Sequence, residues 1–214
     1  MMNYSESEER ANALTHAVGI VLGIVAGYFL LSKAVNNGSG WEVGSVLAYL
    51  FGMMSSYVSS TWYHACSEPD KKRKLRKFDH AAIYLHIAGT YVPFTLVMLR
   101  NEGVWGWSLF GVTAIAAVVG VILSFGELKK HSHLKTICYV LMGCSILVAV
   151  KPLADVLSLS GQIDALYWLI GGGVSYIIGA VFYSWTKKIY AHTVFHLFVL
   201  GGSICHIIAI YKIL

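Results

Sequence analysis

Long apolar runs recur along the whole 214-residue chain, and they restrict its fold more than any other feature. Hydrophobic residues make up 57% of the chain and charged residues only 13%. Each run is close to the roughly 20 residues that a helix needs to cross the hydrocarbon core of a bilayer. Because hydrocarbon cannot satisfy free backbone hydrogen-bonding groups, such runs are expected to be helices. The sequence therefore predicts an all-α integral membrane protein.

We predict seven membrane-spanning helices. The connections between the runs are short, so no separate soluble domain fits, and residues 1–214 are expected to form a single helical bundle in a cell membrane (inner or plasma membrane). The predicted spans cover residues 13–35, 43–65, 79–99, 104–125, 134–151, 163–184 and 192–212.

Lysine and arginine placement predicts the orientation of the bundle. The positive-inside rule puts the side that carries most of these residues in the cytoplasm, so we expect a cytoplasmic N-terminus and an external C-terminus. The basic loop after the second span is explained by this rule, with contact to anionic lipid headgroups as a second possibility and no role for nucleic acid. The basic residues expected inside are Arg10, Lys71, Lys72, Arg73, Lys74, Arg76, Lys77, Lys129, Lys130, Lys135, Lys187 and Lys188, and those expected outside are Lys33, Arg100, Lys151 and Lys212.

The first span contains Gly19, Gly23 and Gly27 at four-residue spacing. Such a stripe of small residues lets a second helix approach closely. The partner helix is either another span of the same chain or a second copy of it, so a homo-oligomer is possible.

Four cysteines fall at or within different predicted spans and form no CxxC motif: Cys66, Cys138, Cys144 and Cys205. This arrangement is a poor disulfide framework, and free, packed thiols are expected. Cys66 comes two residues after His64, so metal binding by its thiolate is a minor alternative.

Polar residues within the predicted spans are the strongest indication of function, because burying them in a bilayer is costly. Ser60 and His64 lie four residues apart near the end of the second span, and His192 and His196 have the same spacing at the start of the seventh. Residues four apart share one helical face. Asp79 opens the third span. With the predicted topology, all three regions lie near the cytoplasmic side, so these groups are expected at similar depth.

Three neutral imidazoles with one open coordination position are the ligand set of a catalytic zinc. The histidines His64, His192 and His196 are therefore the candidate metal ligands. Zinc lowers the pKa of a bound water toward about 7, and Asp79 could accept the proton as a general base or hold that water. Ser60 could orient a ligand imidazole or donate to a developing oxyanion. The alternative is that the histidines are interhelical hydrogen-bonding groups and Asp79 interacts with the helix dipole.

The remaining histidines fit this site less well. His206 is ten residues beyond His196, about 15 Å along a helix, and is too far to share the ion. It could join a polar network or line a cavity, while His86 is expected two turns deeper than Asp79 and its role is open. Packing or solvent exposure is expected for His16, His80, His131 and His133.

Taken together, the motifs resemble those of the hemolysin III family, the bacterial branch of the superfamily that includes the progestin and adiponectin receptors and alkaline ceramidases. They are SxxxH at Ser60–His64, Asp79 within FDHAAIYLHIAGTYVPF, and HxxxH at His192–His196. The resemblance implies seven helices with the N-terminus inside and zinc held by the three histidines. It also implies that Asp79 contacts zinc through water and that Ser60 lies close by.

The resemblance implies a function in the metabolism of membrane lipids. Ceramidase-type amide hydrolysis has been proposed for the superfamily, and bacterial members have been linked to lipid homeostasis and to haemolysis. We therefore expect a zinc-dependent hydrolase of an amide or ester of an acyl lipid. One alternative is a non-enzymatic sensor with a structural zinc, which a fourth protein ligand would favour. Another is a hemolysin-type pore-former. The chain lacks the long N-terminal region of the adiponectin receptors, so their partners are not expected here.

Overall fold

The structure, a computed structural model, describes residues 4–126, 134–185 and 188–214. These residues form helices and connections, without a strand among them. The helices are α1 (Glu6–Asn36), α2 (Gly40–Ala65), α3 (Pro69–Pro93, continued by a π-helical turn at Phe94–Met98), α4 (Trp105–Phe125), α5 (Leu134–Cys144, a 3-10 turn at Ser145–Ala149 and Val150–Leu159), α6 (Asp164–Ser184) and α7 (Ala191–Ile213). Lys129, Lys130, His131, His133 and Lys187 lie outside the described residues.

Six of these helices are long and apolar enough to cross a membrane, and they are all except α2. The chain is therefore a multi-pass membrane protein, as the sequence predicts. Helix α2 has 26 residues, enough to reach across a bilayer, and it carries five serines.

The outside of the bundle is apolar, and part of its interior is polar. On α1, Val21 is 61% exposed and Ile24 is 64% exposed, whereas Asn12 and His16 are buried. A soluble domain would place the polar side chains outside and the apolar ones inside. The reverse arrangement is expected for a bundle surrounded by lipid.

Two helices, α1 and α3, begin about two turns or more before the predicted spans. Helix α1 begins at Glu6, because Ser5 caps it: the Ser5 hydroxyl accepts from the Glu8 backbone and the Glu8 carboxylate accepts from the Ser5 backbone. Helix α3 begins at Pro69, a residue whose fixed φ suits the first turn of a helix. The basic segment that we predicted as a loop is therefore mostly the start of α3.

The glycine stripe of α1 packs against α2 of the same chain. A Cβ added to Gly19 would overlap the Tyr57 ring, and one added to Gly27 would lie 3.3 Å from Leu50. Gly23, between them, also faces α2. Residues later in α1 contact residues earlier in α2, so the two helices are antiparallel. The stripe is thus explained within one chain and does not indicate an oligomer.

A break in α5 is stabilised by Tyr91 of α3. The Tyr91 hydroxyl accepts from the backbone N–H of Ile146 at 2.8 Å and lies 2.7 Å from the carbonyl oxygen of Gly143, to which it can donate. Because backbone groups at a helix break lack intrahelical partners, this side chain satisfies them inside the bundle. The break lies within the predicted span 134–151, and α5 continues past it to Leu159.

Candidate metal centre

Three histidines meet where the end of α2 approaches the start of α7. Their ligand atoms, one from each of His64, His192 and His196, all lie within 4.8 Å of one another. The Nε2 atoms of His64 and His192 are 3.2 Å apart. Ligand atoms on a tetrahedral ion with bonds near 2.1 Å lie about 3.4 Å apart, so the spacing suits a metal. We call these three residues the histidine cluster.

Hydrogen bonds at Nδ1 orient two rings of the histidine cluster. The Nδ1 of His64 lies 2.7 Å from a carboxylate oxygen of Glu9, and the Nδ1 of His196 lies 3.1 Å from the backbone oxygen of Asn12. Both partners are acceptors, so each neutral ring carries its proton on Nδ1 and keeps a lone pair on Nε2. This is the arrangement in which outer carboxylates and carbonyls orient metal-binding histidines.

The Glu9 carboxylate is itself held in place. Its second oxygen is 2.9 Å from the Nζ of Lys72, and both side chains are largely buried. Lys72 also donates to the backbone oxygen of Cys66 at 3.0 Å, just beyond the end of α2. The ion pair therefore ties α1 and α3 to the part of α2 that carries His64.

A cavity of about 330 Å³ extends from the histidine cluster into the bundle. His192 and His196 line it, and so do the predicted site residues Ser60 and Asp79. The lining is mostly apolar side chains of α3, α5, α6 and α7, among them Ile83, Ile87, Val150, Leu169, Ile170, Val174, Ile177 and Val199. The predicted hydroxyl and carboxylate thus share an apolar cavity with two of the three predicted ligands.

Asp79 lines the cavity that extends from the histidine cluster but does not belong to that cluster. In the described part of the chain, the group of side chains close enough to share an ion consists of the three histidines only. The Asp79 carboxylate lies 3.4 Å from the Nδ1 of His80, which also lines the cavity. Ser60 is 2% exposed.

His16 packs directly on the histidine cluster. Its ring stacks on that of His196 with centroids 3.5 Å apart and planes 16° apart. Packing was one of the two outcomes expected for His16, but the sequence did not place it beside a predicted ligand. Neither of its ring nitrogens has a hydrogen-bond partner among the residues that the structure describes.

All four cysteines are free, as predicted. The Sγ of Cys66 lies 3.7 Å from the backbone oxygen of Glu68. Within the described ranges, this thiol does not join the histidine cluster. Cys66 therefore does not supply a fourth ligand in this arrangement.

The sequence did not predict that side chains and backbone of α1 contact the histidine cluster. Glu9, Asn12 and His16 have the spacing i, i+3 and i+7, which places them on one helical face. The predicted first span begins at residue 13, so Glu9 and Asn12 precede it. The capping pattern of Ser5 and Glu8 was the available indication that the helix begins earlier.

The fold and this site define a class: a multi-pass helical membrane protein with a buried three-histidine cluster at one end of an internal cavity. The family model described as "Haemolysin-III related" matches residues 4–207. The chain therefore belongs to the haemolysin III family.

Similar proteins are known from bacteria and from mammals. "Hemolysin-3" of Bacillus cereus is 39% identical over 196 residues, which cover 92% of this chain and 87% of that protein. "Hemolysin-3 homolog" of Bacillus subtilis (strain 168) is 40% identical over 94% of this chain and 91% of its own length. "Monocyte to macrophage differentiation factor" of Homo sapiens is 32% identical over 97% of this chain and 84% of that protein. The similarity thus extends over nearly the whole chain.

Proposed function

We propose that the protein is a zinc-dependent hydrolase that cleaves an amide or ester of an acyl lipid and serves membrane lipid homeostasis. The observation that carries this proposal is the position of the histidine cluster at one end of a mostly apolar cavity, where Ser60 and Asp79 also lie. A polar, water-soluble substrate does not match an apolar cavity inside a membrane protein, whereas an acyl chain does.

The donor set supports zinc as the ion. Three imidazoles with no sulfur ligand are typical of a catalytic zinc, whereas structural zinc sites are closed and usually contain cysteine. His64 and His196 have their Nδ1 atoms committed to acceptors, which leaves Nε2 for the ion. Bound zinc would supply Lewis acidity, which polarises a carbonyl and makes water a better acid.

The residues around the cluster have separate tasks in the proposed reaction. The Asp79 carboxylate accepts a proton from the attacking water as its oxygen forms a bond to the carbonyl carbon. The Ser60 hydroxyl donates a hydrogen bond to the oxyanion that develops. Asp79 then gives the proton to the leaving nitrogen or oxygen as its bond to carbon breaks. The products are a fatty acid and an amine or alcohol.

A non-enzymatic sensor is the second candidate, and one observation favours it. The histidine cluster joins α2 to α7, and Glu9 and Asn12 of α1 support it by hydrogen bonds. An ion bound there would join α2 to α7 directly and α1 through its hydrogen bonds to the histidines, which is what a structural metal does. Turnover of a lipid substrate distinguishes the two candidates.

We further propose that α2 is a seventh span and that the N-terminus is cytoplasmic. Helix α2 packs antiparallel against α1 through Gly19 and Gly27 and against α3 through Gly52 and Gly89. A helix that runs alongside two spans over its whole length crosses the same thickness of bilayer. With seven spans, the two termini lie on opposite sides, and the positive-inside rule then selects the orientation.

Release of fatty acid from a panel of N-acyl and O-acyl lipids tests the proposed hydrolase. We expect the zinc-loaded wild type to cleave at least one of them. Asp79→Asn is expected to lower the rate at least about a hundredfold, since general base catalysis contributes roughly that much, and to keep its zinc. Asp155→Asn, at an exposed residue paired with Lys151, is the matched control. Zinc-loaded wild type that cleaves no lipid would favour the sensor, and an unchanged rate in Asp79→Asn would remove Asp79 from the mechanism.

A further inference from the structure

The cavity continues from the histidine cluster to His206, in the C-terminal half of α7. Asp79 and His196 line one end of it, and His86 and His206 line it deeper in the bundle. Between them, its walls are mainly aliphatic, as at Ile87. Two histidines therefore interrupt an apolar wall at some distance from the candidate metal centre.

Both of these histidines carry a nitrogen atom without a partner. His86 and His206 are each 6% exposed. The Nε2 of His86 and the Nδ1 of His206 are buried and form no hydrogen bond with any residue that the structure describes. Leaving such a group unpaired costs about 1–3 kcal/mol, so a ligand that satisfies it gains affinity.

The hydrogen bond that His206 already makes determines which ligand group can pair with its free nitrogen. Its Nε2 lies 3.2 Å from the backbone oxygen of Leu169, which is an acceptor only. The neutral ring therefore carries its proton on Nε2 and has a lone pair on Nδ1. A ligand hydroxyl can donate to this lone pair, whereas a keto or ether oxygen cannot.

Neighbouring hydroxyl groups are already paired with one another. The Tyr57 hydroxyl donates to Ser203 at 2.7 Å, and the Tyr176 hydroxyl lies 2.9 Å from the same Ser203 oxygen. The Tyr176 ring lies between the two histidines, with its centroid 5.2 Å from His206 and 6.1 Å from His86. We call His86, Tyr176 and His206 the polar station.

The distance between His196 and His206 along α7 determines which carbon of a bound acyl chain lies beside the polar station. His206 follows His196 by ten residues, which corresponds to about 15 Å. An extended acyl chain advances about 1.3 Å per carbon, given single bonds near 1.5 Å. The polar station therefore lies about ten to twelve carbons beyond a carbonyl group held at the histidine cluster.

We propose that the cavity selects acyl chains that carry a hydroxyl group near the middle of the chain, which donates a hydrogen bond to the Nδ1 of His206. This inference rests on the proposed function, since it assumes that the carbonyl or carboxylate end of the lipid lies at the histidine cluster. It narrows the substrate class from acyl lipids in general to hydroxylated ones. A polar station filled only by water is the competing explanation.

Binding of four fatty acids to the purified, zinc-loaded protein tests the inference. The acids are stearic acid, stearic acid with a hydroxyl about twelve carbons from the carboxyl group, its keto counterpart, and stearic acid with a hydroxyl beside the carboxyl group. We expect the mid-chain hydroxy acid to bind about tenfold more tightly than the other three, the effect of one additional hydrogen bond to a buried group. Equal binding of all four would overturn the inference and support a water-filled station.

Two variants show whether His206 causes the preference. His206→Phe keeps a ring but removes both nitrogens, and we expect it to bind all four acids equally. His206→Asn retains an acceptor near the position of Nδ1 and should keep a preference for the mid-chain hydroxy acid. Zinc content serves as the check on folding, because His206 is remote from the histidine cluster. A preference that survives in His206→Phe would overturn the assignment.

Failure of this inference and failure of the proposed function give different results. If acids bind equally and lipids are still cleaved, only the hydroxyl selection is wrong. If no acid binds, both the inference and the proposal that an acyl chain occupies the cavity are wrong. If the mid-chain hydroxy acid is preferred but no lipid is cleaved, the polar station is supported and the hydrolase is not.

Discussion

Two of the three predicted ligands, His64 and His196, are oriented by residues outside the histidine cluster. His64 is oriented by Glu9, and His196 by the backbone oxygen of Asn12. A carboxylate that accepts from Nδ1 fixes the tautomer and makes Nε2 more basic. Lys72 keeps the Glu9 carboxylate in position. The ion affinity is therefore expected to depend on α1, which supplies no ligand.

Replacing Glu9 with glutamine should weaken zinc binding without unfolding the protein. The amide oxygen can still accept from the His64 Nδ1, but the negative charge and the ion pair with Lys72 are lost. We expect the zinc affinity to fall about tenfold, the lower end of the range for outer partners of metal ligands. Competition with a zinc chelator measures it.

Glu6→Gln is the matched control for this experiment. Glu6 lies on the same helix, its side chain is 81% exposed, and it pairs with Arg10. Its removal should leave the zinc affinity unchanged. If Glu9→Gln and Glu6→Gln behave alike, Glu9 does not orient the site.

At the residue level, the sequence predicted the three histidines better than their surroundings. The four-residue spacing of His192 and His196 and the matching depth of His64 were sufficient to group them. Glu9 was not predicted, because its role depends on where α1 begins and on how α1 packs against α2. A single sequence does not contain the second of these.

Among the helices, glycines determine how closely α1, α2 and α3 approach one another. A Cβ at Gly52 would meet the backbone oxygen of Leu85, and one at Gly89 would lie 2.8 Å from the backbone oxygen of Ala48. Backbone atoms cannot rotate away as a side chain can. The α2–α3 interface, which positions His64 relative to Asp79, can therefore accept a side chain at either position only if the two helices shift apart.

The substitution Gly52→Ala should destabilise the bundle. Forcing a methyl group into a well-packed interface costs about 1–3 kcal/mol, so we expect a lower melting temperature in detergent. Gly44→Ala on the same helix is the control, since a Cβ there meets nothing within 4 Å. It should be neutral or stabilise the helix by up to about 1 kcal/mol. Equal melting temperatures for the two variants would contradict the assigned packing.

The sequence identified each helix, and the predicted bounds of α4, α6 and α7 agree with the structure to within about one residue, whereas the starts of α1 and α3 and the end of α5 were missed. Hydropathy detects the part of a helix that lies in lipid, so the polar first turns of α1 and α3 were left out of the predicted spans. The break in α5 was not predicted because its backbone groups are satisfied by Tyr91, which is far away in sequence. Hydropathy alone also does not decide whether α2 spans the bilayer.

At the scale of the whole molecule, the number of spans determines whether the termini lie on the same side. Six spans would place both termini on one side of the membrane, whereas the proposed seven place them on opposite sides. The charged residues Lys33 and Lys212 lie near the end of the bundle remote from the histidine cluster, where Lys33 donates to the backbone oxygen of Tyr211. In the proposed orientation, with the N-terminus in the cytoplasm, the histidine cluster lies toward the cytoplasmic side.

Reporter fusions in bacteria test the proposed topology. Alkaline phosphatase is active only outside the cytoplasm, and green fluorescent protein fluoresces only inside it. We expect a C-terminal phosphatase fusion to be active, a C-terminal fluorescent fusion to be dark and an N-terminal fluorescent fusion to be bright. Fluorescence from both terminal fusions would indicate an even number of spans and would contradict α2 as a span.

The most direct test of the central claim is the amount of zinc bound per chain, measured by elemental analysis of purified wild type, His196→Ala and Cys66→Ser. We predict about one zinc per chain in the wild type, because three imidazoles supply a single site. Cys66→Ser should retain this zinc and His196→Ala should lose it while remaining monodisperse. Wild type that binds no zinc from zinc-supplemented buffer, or His196→Ala that retains the full amount, would contradict the proposed zinc centre.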